Sequence, residues 1–112
     1  MSLFEEPLVT FADVIIPLSV RGLYTYRIPK EMEGEVFVGS RVVVQFGQQR
    51  VYTALVRTIH HSVPKTGMVK YILSVLDDKP LVKEWWLEMV DWIAEYYMSS
   101  PGEVLSVAYH RF

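Results

Sequence analysis

The sequence predicts a small α+β domain, an antiparallel, barrel-like (OB-like) sheet followed by two helices. Three observations carry that expectation. Short runs of β-branched and aromatic residues, separated by Pro and Gly, fill residues 4–76, and the apolar period turns helical from Leu81 onward. The chain has 112 residues, half of them apolar, which is enough for one core and too few for a catalytic domain with an accessory one. We therefore expect a single domain over residues 1–112, with a β-rich part over 4–76 and a helical part over 77–112 packed on it.

Leu8 to Val20 is the first strand region, because Val9, Phe11, Val14, Ile15 and Ile16 are β formers; Pro17 ends it or marks an edge. Ser19 to Gly22 turns the chain. Leu23 to Ile28 then alternates Leu23, Thr25 and Arg27 against Tyr24, Tyr26 and Ile28, so the second set forms an aromatic face. Gly39 to Arg57 is a hairpin. Its two valine-rich arms flank the corner Gln45-Phe46-Gly47-Gln48-Gln49-Arg50, where an aromatic, a glycine, three amides and a cation suit binding better than catalysis. His60 to Gly67 reads as a polar loop, and Met68 to Leu76 as a strand through Tyr71, Ile72 and Val75.

Asp77 to Pro80 breaks the pattern, with Asp78 the candidate N-cap for a helix over Leu81 to Met98. Trp85, Met89, Trp92, Ile93 and Tyr96 share one face of that helix and are expected to cover the sheet; Glu84, Glu88, Asp91 and Glu95 form the opposite, solvated stripe. After the break at Ser99 to Gly102, Val104, Leu105 and Ala108 place a second helix over Gly102 to Tyr109.

Composition excludes several classes of function. A formal charge of −2 argues against a sequence-blind polyanion binder, which needs clustered Lys and Arg, so any nucleic-acid contact must be local. With no cysteine there is no disulfide framework and no thiolate metal site, and the adjacent His60 and His61 lack a spaced third ligand, so we expect no metal and read them as a solvated loop. Asp77-Asp78 reads as a helix cap rather than an acid–base pair, and no phosphate loop, nucleophile elbow or zinc-protease motif occurs; no catalytic residue is expected. No basic leader precedes an apolar run and no stretch approaches the roughly 18 apolar residues of a span, so a cytoplasmic, cofactor-free chain is expected. Met1-Ser2-Leu3 reads as a cloning leader and Tyr109 to Phe112 as an ending without a polar tail, the signs of an excised fragment.

Tyr24, Tyr26 and Phe46 admit two readings. Strand aromatics are most often core. Flat rings beside a glycine corner and an isolated lysine, Lys70, are also what one terminal nucleotide needs: a ring stacks on the base, a missing side chain lets the sugar approach, and a cation neutralises a phosphate.

Tyr24-Thr25-Tyr26-Arg27-Ile28-Pro29, Val38-Gly39-Ser40-Arg41-Val42-Val43-Val44-Gln45-Phe46-Gly47, and Tyr97 with Pro101-Gly102-Glu103-Val104-Leu105 resemble, in order and spacing, the N-terminal domain of the PriA helicases (primosomal protein N′), which restart bacterial replication. The resemblance covers nearly the whole chain. It implies recognition of the 3′ end of a nascent leading strand at a stalled fork, with ATP, magnesium and zinc held by separate downstream domains, and with other domains of the polypeptide, the primosome and single-strand-binding proteins as partners. The pocket it implies falls on Tyr24, Thr25, Tyr26, Phe46, Gly47 and Lys70. One position departs. Where the pattern often has an aspartate, this chain has Thr25, whose hydroxyl can donate or accept but carries no charge. The competing reading is a protein-interaction β domain that docks a partner through the Tyr24 to Gly47 face.

Overall fold

The computed structural model describes residues 8–19, 22–65 and 68–108. Met1 to Leu3, Val20, Gly67 and Tyr109, named above as a leader, a strand end, loop punctuation and a helix end, lie outside the described residues. Five strands, β1 (Phe11–Ile15), β2 (Tyr24–Arg27), β3 (Arg41–Gln45), β4 (Val51–His60) and β5 (Ser74–Val75), precede two helices, α1 (Glu84–Tyr96) and α2 (Pro101–Ala108).

The strands form one antiparallel sheet in the order β2-β1-β4-β3-β5. β4 is the spine. Its ten residues pair with β3 at their start and with β1 at their end, the latter through a register shift at Asp13/Val14 that bends the sheet. The sheet curls without closing: among the described residues, β2 is linked to the stretch before β5 at Arg27, whose N–H donates to the Lys70 carbonyl (2.9 Å) and whose carbonyl accepts from Ile72 N–H (2.9 Å). Of the expected strand Met68 to Leu76, only Ser74–Val75 forms a ladder; the rest spans the gap between the sheet edges.

The two-residue period of the strands makes two cores. Val14, Tyr26, Val42, Val44, Ala54 and Val56 fill the inside of the curl. Ile15 and Leu55 point the other way, onto Leu87, Val90 and Ala94 of α1 and Val104 and Leu105 of α2. α2 begins with Ser100 and Glu103 in a reciprocal cap: Ser100 Oγ accepts from Glu103 N–H (3.1 Å), and Glu103 Oε1 accepts from Ser100 N–H (3.3 Å). Gly102 lets that end lie against β1, since a Cβ there would collide with the carbonyl oxygens of Ile16 and Leu18.

α1 overturns its expected orientation. Its buried face is Leu87, Val90 and Ala94, flanked by Trp86 and Ile93, whereas Trp85, Trp92 and Tyr96 are each more than three-fifths exposed. The helix carries two apolar stripes, and the one with smaller side chains packs on Ile15 and Leu55. An ion-pair clamp fixes the choice. Arg57 on β4 donates to Asp91 from Nε (2.9 Å) and Nη2 (2.7 Å) and to Glu84 from Nη1 (2.9 Å), so half of the expected solvated acidic stripe faces the sheet. Those hydrogen bonds, to Asp91 first, raise the Arg57 guanidinium above its ordinary value.

The expected cap also moves. α1 starts at Glu84 with Lys83 in the N-cap position, and Asp78 lies upstream of it. Asp77 serves β3 instead: it accepts from Arg41 N–H (2.8 Å), Nε (3.1 Å) and Nη2 (2.9 Å), a fork that holds its carboxyl below the usual range.

Candidate nucleic-acid interface

Three segments build one concave site at the open edge of the curl. β2 contributes Tyr24 and Tyr26, which lie on its inner face, and the Tyr26 hydroxyl donates to the Gln45 carbonyl (2.7 Å), tying that face to the end of β3. Burial, with the neighbouring Tyr24 adding, pushes the Tyr26 phenol above its ordinary value; the group is a fixed neutral donor. The β3–β4 corner follows. Phe46 N–H donates to the Arg50 carbonyl (3.0 Å), closing a loop in which Gly47 takes φ +75°, a left-handed conformation that side chains disfavour. The Phe46 ring meets Tyr24 edge-on, with centroids 4.7 Å apart and planes at 74°, and Tyr52 supports it from behind at 6.3 Å.

The third wall is the stretch that bridges the sheet edges. The Arg27–Lys70 backbone bond sets its position, and it brings Pro64, Lys65, Met68 and Lys70 to the cavity, which holds about 500 Å3. That volume lies within the range of small-ligand pockets, roughly 300–1,000 Å3. All six residues singled out from the sequence, Tyr24, Thr25, Tyr26, Phe46, Gly47 and Lys70, line it. An added Cβ at Gly47 would meet nothing within 4 Å, so the glycine faces open space at the mouth.

Thr25 is placed differently from its neighbours. As the strand alternates, its hydroxyl turns to the opposite face and donates to Asp13 Oδ1 (2.6 Å). Lys65, Pro64 and Met68 were not foreseen: Pro64 and Lys65 sit in a loop with no periodicity to place them, and Met68 was read only as the start of a strand. His60 is the last residue of β4 rather than part of a solvated loop, and its Nε2 lies 2.9 Å from Asp13 Oδ1. Among the described residues, no three His, Asp or Glu side chains gather as a metal site requires, and no helix is long and apolar enough to cross a membrane.

The site's chemistry is therefore three aromatic side chains, an open glycine and two lysines. A sequence model of the 3′DNA-binding domain (3′BD) family matches residues 13–110. The chain belongs to that family. Among curated relatives, the 3′BD chain is 32% identical over 73% of its length to replication restart protein PriA of Treponema pallidum (strain Nichols), of which it covers 13%. It is 28% identical over 92% of its length to PriA of Chlamydia trachomatis serovar D (14% of that protein) and 26% identical over 81% to PriA of Bacillus subtilis strain 168 (12%). The 3′BD chain thus spans about an eighth of the length of these relatives.

Proposed function

We propose that the pocket takes the terminal nucleotide of a DNA 3′ end, that of a nascent leading strand at a stalled fork, as the first domain of a replication-restart helicase. The observation that carries this is the convergence of Tyr24, Phe46, Gly47, Lys65 and Lys70 on one cavity of a chain whose net charge is −2. That charge argues against holding a polyanion by counterion release over a long track, and on this proposal affinity for DNA comes from a few short-range contacts. The base stacks on the exposed part of the Tyr24 and Phe46 rings, and the sugar approaches the Gly47 backbone where no side chain intrudes. Lys70 pairs with the terminal phosphate and Lys65 with the one before it.

In this reading the domain itself catalyses nothing and needs no cofactor; ATP, magnesium and zinc belong to other parts of the polypeptide. Primosome and single-strand-binding proteins would meet it at the fork, in the cytoplasm. The test is fluorescence anisotropy with two labelled oligonucleotides identical but for a free or a phosphorylated 3′ hydroxyl. The free end is expected to bind about fivefold or more tightly, a difference near 1 kcal/mol. Equal affinity for the two would remove the proposal.

A further inference from the structure

One carboxylate behind the pocket ties two of its three walls together. Asp13 lies in the middle of β1, between β2 and β4, at the register shift of the sheet. Its Oδ1 accepts the Thr25 hydroxyl proton from β2 at 2.6 Å, and the same oxygen lies 2.9 Å from His60 Nε2 at the end of β4. The chain continues the link, since Ser62 N–H donates to His60 Nδ1 (3.1 Å). With Nδ1 accepting from Ser62, the matching tautomer places the donor on Nε2, facing Asp13. Phe11 stacks on the imidazole, centroids 5.9 Å apart and planes at 26°, which holds the ring in that orientation.

The two ends of this relay belong to different walls. Thr25 sits between Tyr24 and Tyr26, the ring-bearing residues of β2, and Ser62 opens the stretch that carries Pro64 and Lys65. Asp13 and His60 themselves line no part of the cavity. We propose that Asp13 is a positioning residue for the 3′-end pocket, acting through Thr25 and His60 to fix the spacing between the aromatic wall and the lysine wall. This inference rests on the reading of the pocket given above.

The relay also explains how a threonine serves at this position. With its proton committed to Asp13, Thr25 works as a structural tie on the outer face of β2 rather than as a charged contact to the nucleotide. The carboxylate comes from the neighbouring strand.

The measured quantity is the ratio of dissociation constants, 3′-phosphorylated over 3′-hydroxyl oligonucleotide. A loss of folded protein multiplies both constants by the same factor and leaves the ratio unchanged, so the ratio separates positioning from stability. Asp13→Ala and His60→Ala are each expected to lower it about threefold, and the double variant to lower it no further than Asp13→Ala alone, because both break one tie. Asp13→Asn keeps an acceptor oxygen for both donors and is expected to recover most of the ratio. Should Asp13→Ala fail to fold, Thr25→Val, which removes the donated proton and keeps the branched shape, is expected to show the same threefold fall. A wild-type ratio in any folded variant that breaks the tie, or independent multiplication of the two effects, would overturn the inference alone. A ratio of one in the wild-type chain would remove the 3′-end reading and this inference with it.

Discussion

The molecule carries two aromatic surfaces, and they differ in everything except residue type. In the pocket, the partly buried Tyr24 and Phe46 meet edge to face, with Tyr52 packed edge-on against Phe46 outside the cavity lining, and the first two share a concavity with Lys65 and Lys70. On α1, Trp92 stacks on Tyr96 with centroids 5.2 Å apart, Tyr97 meets Tyr96 edge-on, and the whole stripe is exposed on a convex helix. Residues 84–108 contain Glu84, Glu88, Asp91, Glu95 and Glu103 and no Lys or Arg. A phosphate approaching that helix meets net negative charge, since only Glu84 and Asp91 are offset, by Arg57, whereas one approaching the pocket meets two cations. Aromatic content therefore does not by itself distinguish the two surfaces. Concavity and the sign of the neighbouring charge do, and the proposed function rests on that difference.

The largest expected effect is that of Gly47→Val. A β-branched residue at φ +75° is strained and fills the open mouth, so binding of a free 3′ end should fall by about 100-fold or more in anisotropy titrations. Next comes Tyr24→Ala, which removes a stacking platform and should cost about 1 to 3 kcal/mol of binding with an unchanged melting curve. Lys70→Ala and Lys65→Ala should each cost about 1 kcal/mol and each flatten the log–log salt dependence by roughly 0.7, from a starting slope on the order of −1 to −2. A slope several-fold steeper in the wild-type chain would reveal an extended contact track and blur the contrast between the two surfaces. The smallest effect belongs to Trp92→Ala, which should leave DNA affinity unchanged; a loss comparable to that of Tyr24→Ala would erase the comparison.

How much of this was legible in the sequence depended on whether a local pattern had one solution or two. The hairpin of β3 and β4 was legible because valine runs flank Phe46-Gly47; the alternation of Tyr24 and Tyr26, the glycine corner and the isolated Lys70 singled out residues that line one cavity, while Thr25 was named only through the family resemblance. α1 was legible as a helix but not in its rotation. Trp85, Met89, Trp92 and Tyr96 repeat as regularly as Leu87, Val90 and Ala94, and what separates them is long-range: the packing on Ile15 and Leu55 and the Arg57 clamp to Asp91 and Glu84, which bridges positions 34 and 27 apart in sequence. Asp77 was misread for the same reason, since a local capping role competed with a distant fork to Arg41. Lys65 and Asp13 gave no signal, and His60 was read as solvated loop, because their partners come from other strands or from a loop without periodicity.

The central claim, that the concave aromatic surface and not the convex one receives a DNA 3′ end, is tested most directly by amide chemical-shift mapping. The isotopically labelled chain is titrated with a dinucleotide that ends in a free 3′ hydroxyl. The account predicts perturbations concentrated at residues 24–26, 45–47 and 65–70, with the amides of 84–97 unmoved. Perturbations centred on Trp85, Trp92 and Tyr96, with the pocket silent, would contradict it.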